Sequence, residues 1–252
     1  MKNSAIAILF LIFASASLYA ESNSELVEKG NKAYASKYFQ QAVECFEKVV
    51  KNGSEAPELY YNLGNAYFKQ ADYSSAILYF EKAKRLKPGD EDIEHNLKVA
   101  NTKITDKIDA IPDFFLVRWW KGFRNIFSFN VWAIMGISFL IIGLGLFGFY
   151  LFSSVLKRRK FAFWSMLVFM TMMAFSFISA QSQYSSVSST KEAIIFSPSV
   201  TAKSSPDANS TDLFVIHEGA KVKVIDNVGE WSEIKIANGS VGWVNTSVFK
   251  II

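Results

Sequence analysis

At 252 residues, 50% apolar and with a net charge of +4, the chain is more apolar than a soluble protein of mixed class, which points to membrane segments. Residues 112–184 carry 7 Lys/Arg against 1 Asp/Glu, whereas 21–111 carry 13 against 15 and 185–252 carry 6 against 7; neither flank has the clustered cations of a nucleic-acid binder, and that partner class is set aside. Cys45 is the single cysteine and His95 and His217 the only histidines, which excludes an intrachain disulfide, a Cys-based zinc site and a CxxC redox pair and leaves no metal or cofactor expected.

The N-terminus, "MKNSAIAILFLIFASASLYAESNSE", has one cation, an apolar stretch from Ala5 to Phe13 and small residues up to Ala20. That order predicts a secretory signal peptide over 1–20, too short to span and stay. Cleavage falls after Ala20, or nearer Ala16. No cysteine follows to accept a lipid.

Sliding the next region along itself by 34 residues aligns Gly30 with Gly64, Ala42 with Ala76, Phe46 with Phe80 and Lys48 with Lys82. A period of 34 is that of a helix–turn–helix solenoid. In "PELYYNLGNAYFKQADYSSAILYFEKAKRLKPGD", 57–90, Tyr60, Leu63, Gly64 and Tyr67 recur at helical spacing. After a turn at Ala71–Asp72, Ala76, Ile77, Phe80 and Ala83 do the same, and Pro88–Gly89 ends the unit. This stretch resembles the tetratricopeptide repeat (TPR) at every signature position. The earlier copy, 23–56, matches less well, with Lys29 in the place of Leu63 and Ala33 in that of Tyr67. A capping helix is expected over 91–108, giving a TPR domain over 21–111.

The resemblance implies a groove for an extended peptide or a partner's tail, lined by Glu58, Tyr61, Asn62, Asn65, Phe68 and Lys69 of the second repeat. Asn31 and Tyr34 of the first repeat and Asp92, His95 and Asn96 of the cap complete it. Asparagine amides suit a peptide backbone and the rings suit its side chains; the same residues also fit an ordinary solvated face. Asp90, Glu91 and Asp92 read as helix N-terminal charges.

Next come two uncharged stretches, 130–152 and 161–180, each long enough to cross about 30 Å of hydrocarbon at 1.5 Å per residue. Gly136, Gly143, Gly145 and Gly148 in the first point to close helix packing. The connection, 153–160, holds Lys157, Arg158, Arg159 and Lys160. By the positive-inside rule these make it a cytoplasmic loop, with both flanking regions on the other side. Ahead of the first span, "PDFFLVRWWKGFRNIFSFN" interleaves Arg118, Lys121 and Arg124 with aromatic rings. Segment 112–129 therefore reads either as an amphipathic helix in the headgroup layer or as the plain start of a longer helix.

A Ser-rich stretch, 181–190, reads as a flexible tether. From there Val222, Val224, Trp231, Ile234 and Ile236 alternate with polar residues, and Glu218–Gly219, Val228–Gly229 and Asn238–Gly239 supply turns. Five or six short strands over 191–252 predict a small closed barrel. The spacing of "EGAKVKVID", "EWSEIKI" and "NGSVGWV" resembles the bacterial SH3-like domain, with a long insertion at 201–212. That likeness implies binding of cell-wall peptides or protein segments. Trp231 and Trp243 are candidates for such a surface or for the barrel core.

The fold class expected is thus a multi-domain membrane protein: all-α TPR repeats, a two-helix transmembrane hairpin and an all-β SH3-like barrel. No nucleophile with a base, carboxylate pair or phosphate-cradling loop is present, so no enzyme is expected. The order of parts resembles that of the BatE-like, TPR-containing proteins of the Bacteroides aerotolerance (Bat) group. It implies a scaffold at the bacterial inner membrane, binding partner proteins or peptides, among them other Bat-type membrane proteins. The alternative reading is a peptidoglycan sensor or anchor acting through the SH3-like domain.

Overall fold

The computed structural model describes residues 23–108, 114–188 and 191–252. The expected signal segment, 1–20, lies outside the described residues. The chain forms two compact units, one drawing on residues up to Leu86, Glu91–Asp109 and Glu192–Ile252, the other on Lys87–Asp90 and Ala110–Lys191.

Five helices open the first unit: α1 (23–35), α2 (Phe39–Lys51), α3 (Pro57–Lys69), α4 (Tyr73–Leu86) and α5 (Glu91–Asn101). They pair as α1 with α2 and α3 with α4, and the 34-residue period is visible in the packing. A methyl group added at Gly30 would lie 2.6 Å from Phe46 Cε1, and one at Gly64 would lie 2.7 Å from Phe80 Cδ1. Each glycine thus lets the second helix of its repeat press an aromatic ring onto the backbone of the first. The turns repeat as well: Lys37 and Ala71, 34 residues apart, both take left-handed φ values, 64° and 61°. Proline at the first position of α3 meets an amide that needs no partner there. Asp72 starts α4 by accepting from Ser75 N at 3.0 Å. Leu63, Ala66, Ala76, Ile77 and Ala83 are fully buried between the helices.

The expected capping helix over 91–108 stops at Asn101. Residues 102–108 instead run onto the C-terminal domain, where Ile108 packs on its core. Asp106 Oδ2 accepts from His217 N at 2.6 Å while Oδ1 lies 2.8 Å from His217 Nδ1. Contacts on another domain thus take the place of further helical turns.

That domain contains seven strands: β1 (Lys191–Ile195), β2 (Ser199–Lys203), β3 (Asp212–His217), β4 (Lys221–Val228), β5 (Trp231–Lys235), β6 (Val241–Asn245) and β7 (Phe249–Ile251). They form one sheet in the order β3-β2-β6-β5-β4-β1-β7. Residues from all seven, among them Ala193, Ala202, Ile216, Val222, Ile234, Val244 and Phe249, share one core, as the wall of a small barrel must.

The helical array and the barrel belong to one unit. Ile194 and Ile252 from the barrel lie in the same buried cluster as Ile77, Leu78, Phe80, Leu97 and Ala100 from α4 and α5. Around this junction Lys221 Nζ bridges Glu81 at 2.8 Å and Glu192 at 2.7 Å. Arg85 Nη1 donates to the Ile252 carbonyl at 2.6 Å. The barrel therefore covers the apolar face that a further helix would cover in a longer array.

The second unit holds α6 (Phe115–Arg124), α7 (Phe129–Phe152) and α8 (Leu156–Ser188). Helix α7 and the Leu156–Ser185 portion of α8 are long and apolar enough to cross a membrane. They form a hairpin in which Gly136 faces Phe177 at 3.2 Å and Gly143 faces Met170 at 2.9 Å, measured from the Cβ each glycine lacks. The expected loop over 153–160 contracts to 153–155, and the expected tether over 181–190 is helical as far as Ser188. Both corrections have one cause: no glycine or proline occurs between 154 and 190, so nothing stops the helix at the edge of its apolar stretch.

Candidate functional site

Helices α1, α3 and α5 are the first helices of successive repeats, and they carry the expected groove residues to one face. Asn31 sits on α1, Asn62 and Asn65 on α3, and Asn96 on α5. Asn62 Nδ2 donates to Asn31 Oδ1 at 3.2 Å, and Asn96 Nδ2 donates to Asn65 Oδ1 at 2.8 Å and to the Tyr61 hydroxyl at 3.0 Å. The two amide pairs are related by the repeat, since Asn65 is Asn31 advanced by 34 residues and Asn96 is Asn62 advanced by the same step. In each pair one amide donor and one carbonyl are used. Each pair therefore keeps an NH2 and a C=O side by side, the complement of a peptide bond.

The pairs line two adjoining clefts. The first, about 250 Å³, is bounded by Asn31, Tyr34, Phe46, Asn62 and Asn65. The second, about 280 Å³, is bounded by Tyr34, Tyr61, Asn65, Phe68, Lys69, Phe80, Asn96 and Val99. Tyr34 and Asn65 belong to both and make the clefts one groove. Ring contacts hold its walls: Tyr34 on Phe39 at 5.4 Å, Tyr61 on Phe80 at 6.0 Å and Phe68 on Tyr73 at 5.5 Å between centroids. Burial and the nearby Tyr61 push the Tyr34 phenol above its ordinary value, so it stays a hydrogen-bond donor at neutral pH.

Behind the groove the Tyr67 hydroxyl donates to Glu47 Oε1 at 2.6 Å, and its ring stacks on Tyr79 with centroids 5.6 Å apart. Burial, with the Glu47 carboxylate, pushes Tyr67 far up and Tyr79 up to about 12. These phenols act as structural donors and packing surfaces.

Of the expected groove residues, Asn31, Tyr34, Tyr61, Asn62, Asn65, Phe68, Lys69 and Asn96 line the clefts, while Glu58, Asp92 and His95 are exposed beside them and line neither. Val99 was not anticipated. The repeat supplies the signal that finds it, because Val99 is Asn65 advanced by 34 residues. At Val99 the asparagine series ends in an apolar contact.

On the barrel, Trp231, Glu233, Trp243 and Asn245 share one face, because Glu233 pairs with Trp243 and Trp231 with Asn245. The opposite face carries the buried Ser232, Ile234 and Val244. The core alternative for the two tryptophans therefore does not hold: both are half-buried on the outer face. Lys203 lies opposite Trp243 across β2 and β6 and pairs with Asp212.

At the hairpin's tip Lys157, Arg158, Arg159 and Lys160 occupy the first turns of α8 and are exposed, with Arg159 5.0 Å from the Tyr150 ring. Among the described residues no group of three or more His, Cys, Asp or Glu side chains is placed to hold a metal ion.

Comparison with known families matches residues 27–91 to the tetratricopeptide repeat and residues 199–250 to the bacterial SH3 domain. No curated protein matches the chain. Both families are non-catalytic, and they suggest protein–protein interaction or cell-wall binding.

Proposed function

We propose that this chain is a non-enzymatic membrane-anchored scaffold that holds an extended segment of a partner protein in the groove of α1, α3 and α5. The observation that carries this reading is the pair of asparagine stations, Asn31 with Asn62 and Asn65 with Asn96, repeated along two connected clefts. Main-chain recognition by amide side chains tolerates many sequences, and Tyr34, Tyr61 and Phe68 supply apolar contact for side chains.

The hairpin of α7 and α8 anchors the scaffold in a bacterial inner membrane. Its tip carries four cations, which favours a cytoplasmic tip. The helical array precedes the hairpin in the chain and the barrel follows it, yet the two form one unit. A single folded unit on both chain flanks needs both ends of the hairpin on one side of the bilayer, here the extracytoplasmic side. The likeness of the domain order to Bat-type proteins supports a place in an envelope stress complex, with other membrane proteins of that type as partners.

The test is recovery of partners from membranes with the full-length chain and with an Asn31→Ala/Asn65→Ala variant. The reading expects specific partners to be lost while the thermal transition is kept; an unchanged partner set overturns it. Topology is checked in a Cys45→Ala background with Ser154→Cys, where labelling from the extracytoplasmic side would reverse the orientation. A second reading, binding of peptidoglycan, is favoured by the outward Trp231 and Trp243 on a bacterial SH3 domain. Sedimentation of the full-length protein with purified sacculi tests it: loss on Trp231→Ala/Trp243→Ala supports it, and no sedimentation removes it.

A further inference from the structure

We infer that α6 is a headgroup-layer helix that binds the phosphates of anionic phospholipids through Arg118 and Lys121. This rests on the reading of α7 and α8 as membrane spans and is independent of what the groove holds. Along Phe115–Arg124 the residues separate into two arcs. Phe115, Leu116, Trp119, Trp120 and Phe123 fall on one, while Arg118, Lys121 and Arg124 fall on the other. No acidic residue occurs within the helix.

Part of the apolar arc is already used. Phe123 and Trp120 meet Phe175 of α8 edge-on, at 5.4 and 5.8 Å between centroids, and Phe123 also meets Trp132 of α7 at 5.7 Å. The remainder is open: Phe115 is 59% exposed, Leu116 55% and Trp119 67%. Three large apolar side chains on one arc, beside a hairpin whose own surface is apolar, fit lipid acyl chains.

The depth of α6 is fixed by polar contacts with α8. Arg124 Nη1 donates to the Ser182 carbonyl and hydroxyl, both at 2.9 Å, and Trp120 Nε1 reaches the same hydroxyl at 3.3 Å. Gln183 Nε2 donates to the Phe127 carbonyl at 3.2 Å, and Trp132 Nε1 to the Arg124 carbonyl at 2.8 Å. Ser182 lies two residues beyond Ala180, where the uninterrupted apolar run of α8 ends. The contacts with α8 therefore span Phe175 to Ser182, about 10 Å at 1.5 Å per residue, across the edge of the hydrocarbon. At that level the apolar arc reaches acyl chains and the basic arc reaches the phosphates. Arg124 is committed to Ser182 and positions the helix, which leaves Arg118 and Lys121, both exposed, to meet lipid. The charge sign selects an anionic headgroup over a zwitterionic one.

The test uses the full-length protein in nanodiscs of phosphatidylcholine alone or mixed with phosphatidylglycerol. Nitroxides are placed one at a time at residues 119, 118, 141 and 38 in a Cys45→Ala background. The expected result is that residue 119, like residue 141 on the exposed face of α7, is relaxed by oxygen and shielded from a water-soluble nickel chelate. Residue 118 sits at phosphate depth, and residue 38, on the soluble unit, is open to the chelate. Arg118→Gln/Lys121→Gln should lower retention of phosphatidylglycerol relative to phosphatidylcholine by about fivefold per cation, and Arg118→Lys/Lys121→Arg should restore it. Chelate access at residue 119 equal to that at residue 38, with residue 141 still in lipid, overturns the proposal alone. Unchanged phosphatidylglycerol retention in the Gln variant also overturns it. Chelate access at residue 141 overturns the membrane reading itself.

Discussion

The helix pairs of the soluble unit and the membrane hairpin both approach one another through glycine, but they meet different partners. Gly30 and Gly64 face the rings of Phe46 and Phe80, which are themselves fully or nearly fully buried. Gly143 faces the terminal methyl of Met170, and Gly136 faces the ring of Phe177 at a looser distance. Around the first pair water is excluded from every side, so each contact contributes hydrophobic energy and any misfit is felt. Around the hairpin most large side chains stay exposed for lipid, as with Ile134, Ile141 and Ile178, and packing alone holds the pair. The same residue type is therefore a rigid fitting in one unit and a compliant one in the other.

The junction of helical array and barrel should break first. Ile194 is fully buried in a cluster that includes α4 and α5, so Ile194→Ala is expected to cost roughly 2–5 kcal/mol. Hydrogen exchange in α5 should rise with it, because Leu97 and Ala100 lose their cover. If only amides of the barrel respond, the array and the barrel are not one cooperative unit.

A smaller effect is expected at the charged rim. Burial alone would lower the Lys221 pKa, but Glu81 and Glu192 more than offset this and hold it above the ordinary lysine value. Replacing it as Lys221→Met leaves two carboxylates facing each other, at a cost of roughly 1–3 kcal/mol once the partial exposure of all three groups is discounted. The sign follows from a raised folded pKa. The contribution is whole below the unfolded lysine value, about 10.4, and is lost as pH rises through the higher folded value. Denaturant midpoints of the two proteins should thus differ by a constant amount at neutral to mildly alkaline pH and converge only in strong alkali. Convergence near neutrality would show that the ion pairs contribute nothing.

Much of this architecture can be read along the chain because its signals are local. The 34-residue step that pairs Gly64 with Phe80 also places Asn65 and Asn96 on one face, and uninterrupted apolarity marks α7 and α8. The docking of array on barrel has no such mark. His217 meets Asp106 and Lys221 meets Glu81 across more than a hundred residues, with the hairpin inserted between them. No periodicity registers a contact of that separation, so 102–108 reads as more helix when it is a strap onto the barrel. The ends of α8 mislead for the opposite reason: serine and four cations look like loop, but without glycine or proline the helix simply continues. The barrel tryptophans fall between these cases, since alternation from Trp231 to Ile234 crosses faces and only the β5–β6 register shows which face each occupies.

The smallest effects test the contrast between rigid and compliant glycines directly. Gly64→Ala drives a methyl to 2.7 Å from a ring that has no room to retreat, and overpacking outweighs the helix propensity gained, for a net loss of about 1–2 kcal/mol. Gly143→Ala places its methyl 2.9 Å from Met170 Cε, a nearly equal clash against the far end of a flexible side chain. There the thioether rotates away, and the loss should be well under about 1 kcal/mol. Gly145 has nothing within 4 Å of its missing Cβ, so Gly145→Ala serves as the hairpin's neutral reference. Melting of the three variants in one detergent should therefore order Gly64→Ala far below Gly143→Ala, with Gly145→Ala at or above wild type. If Gly143→Ala falls as far as Gly64→Ala, the hairpin is packed as tightly as the soluble core and the contrast fails. If Gly145→Ala falls instead, the open face of α7 is covered by another protein helix that survives in detergent, and lipid is not its only neighbour.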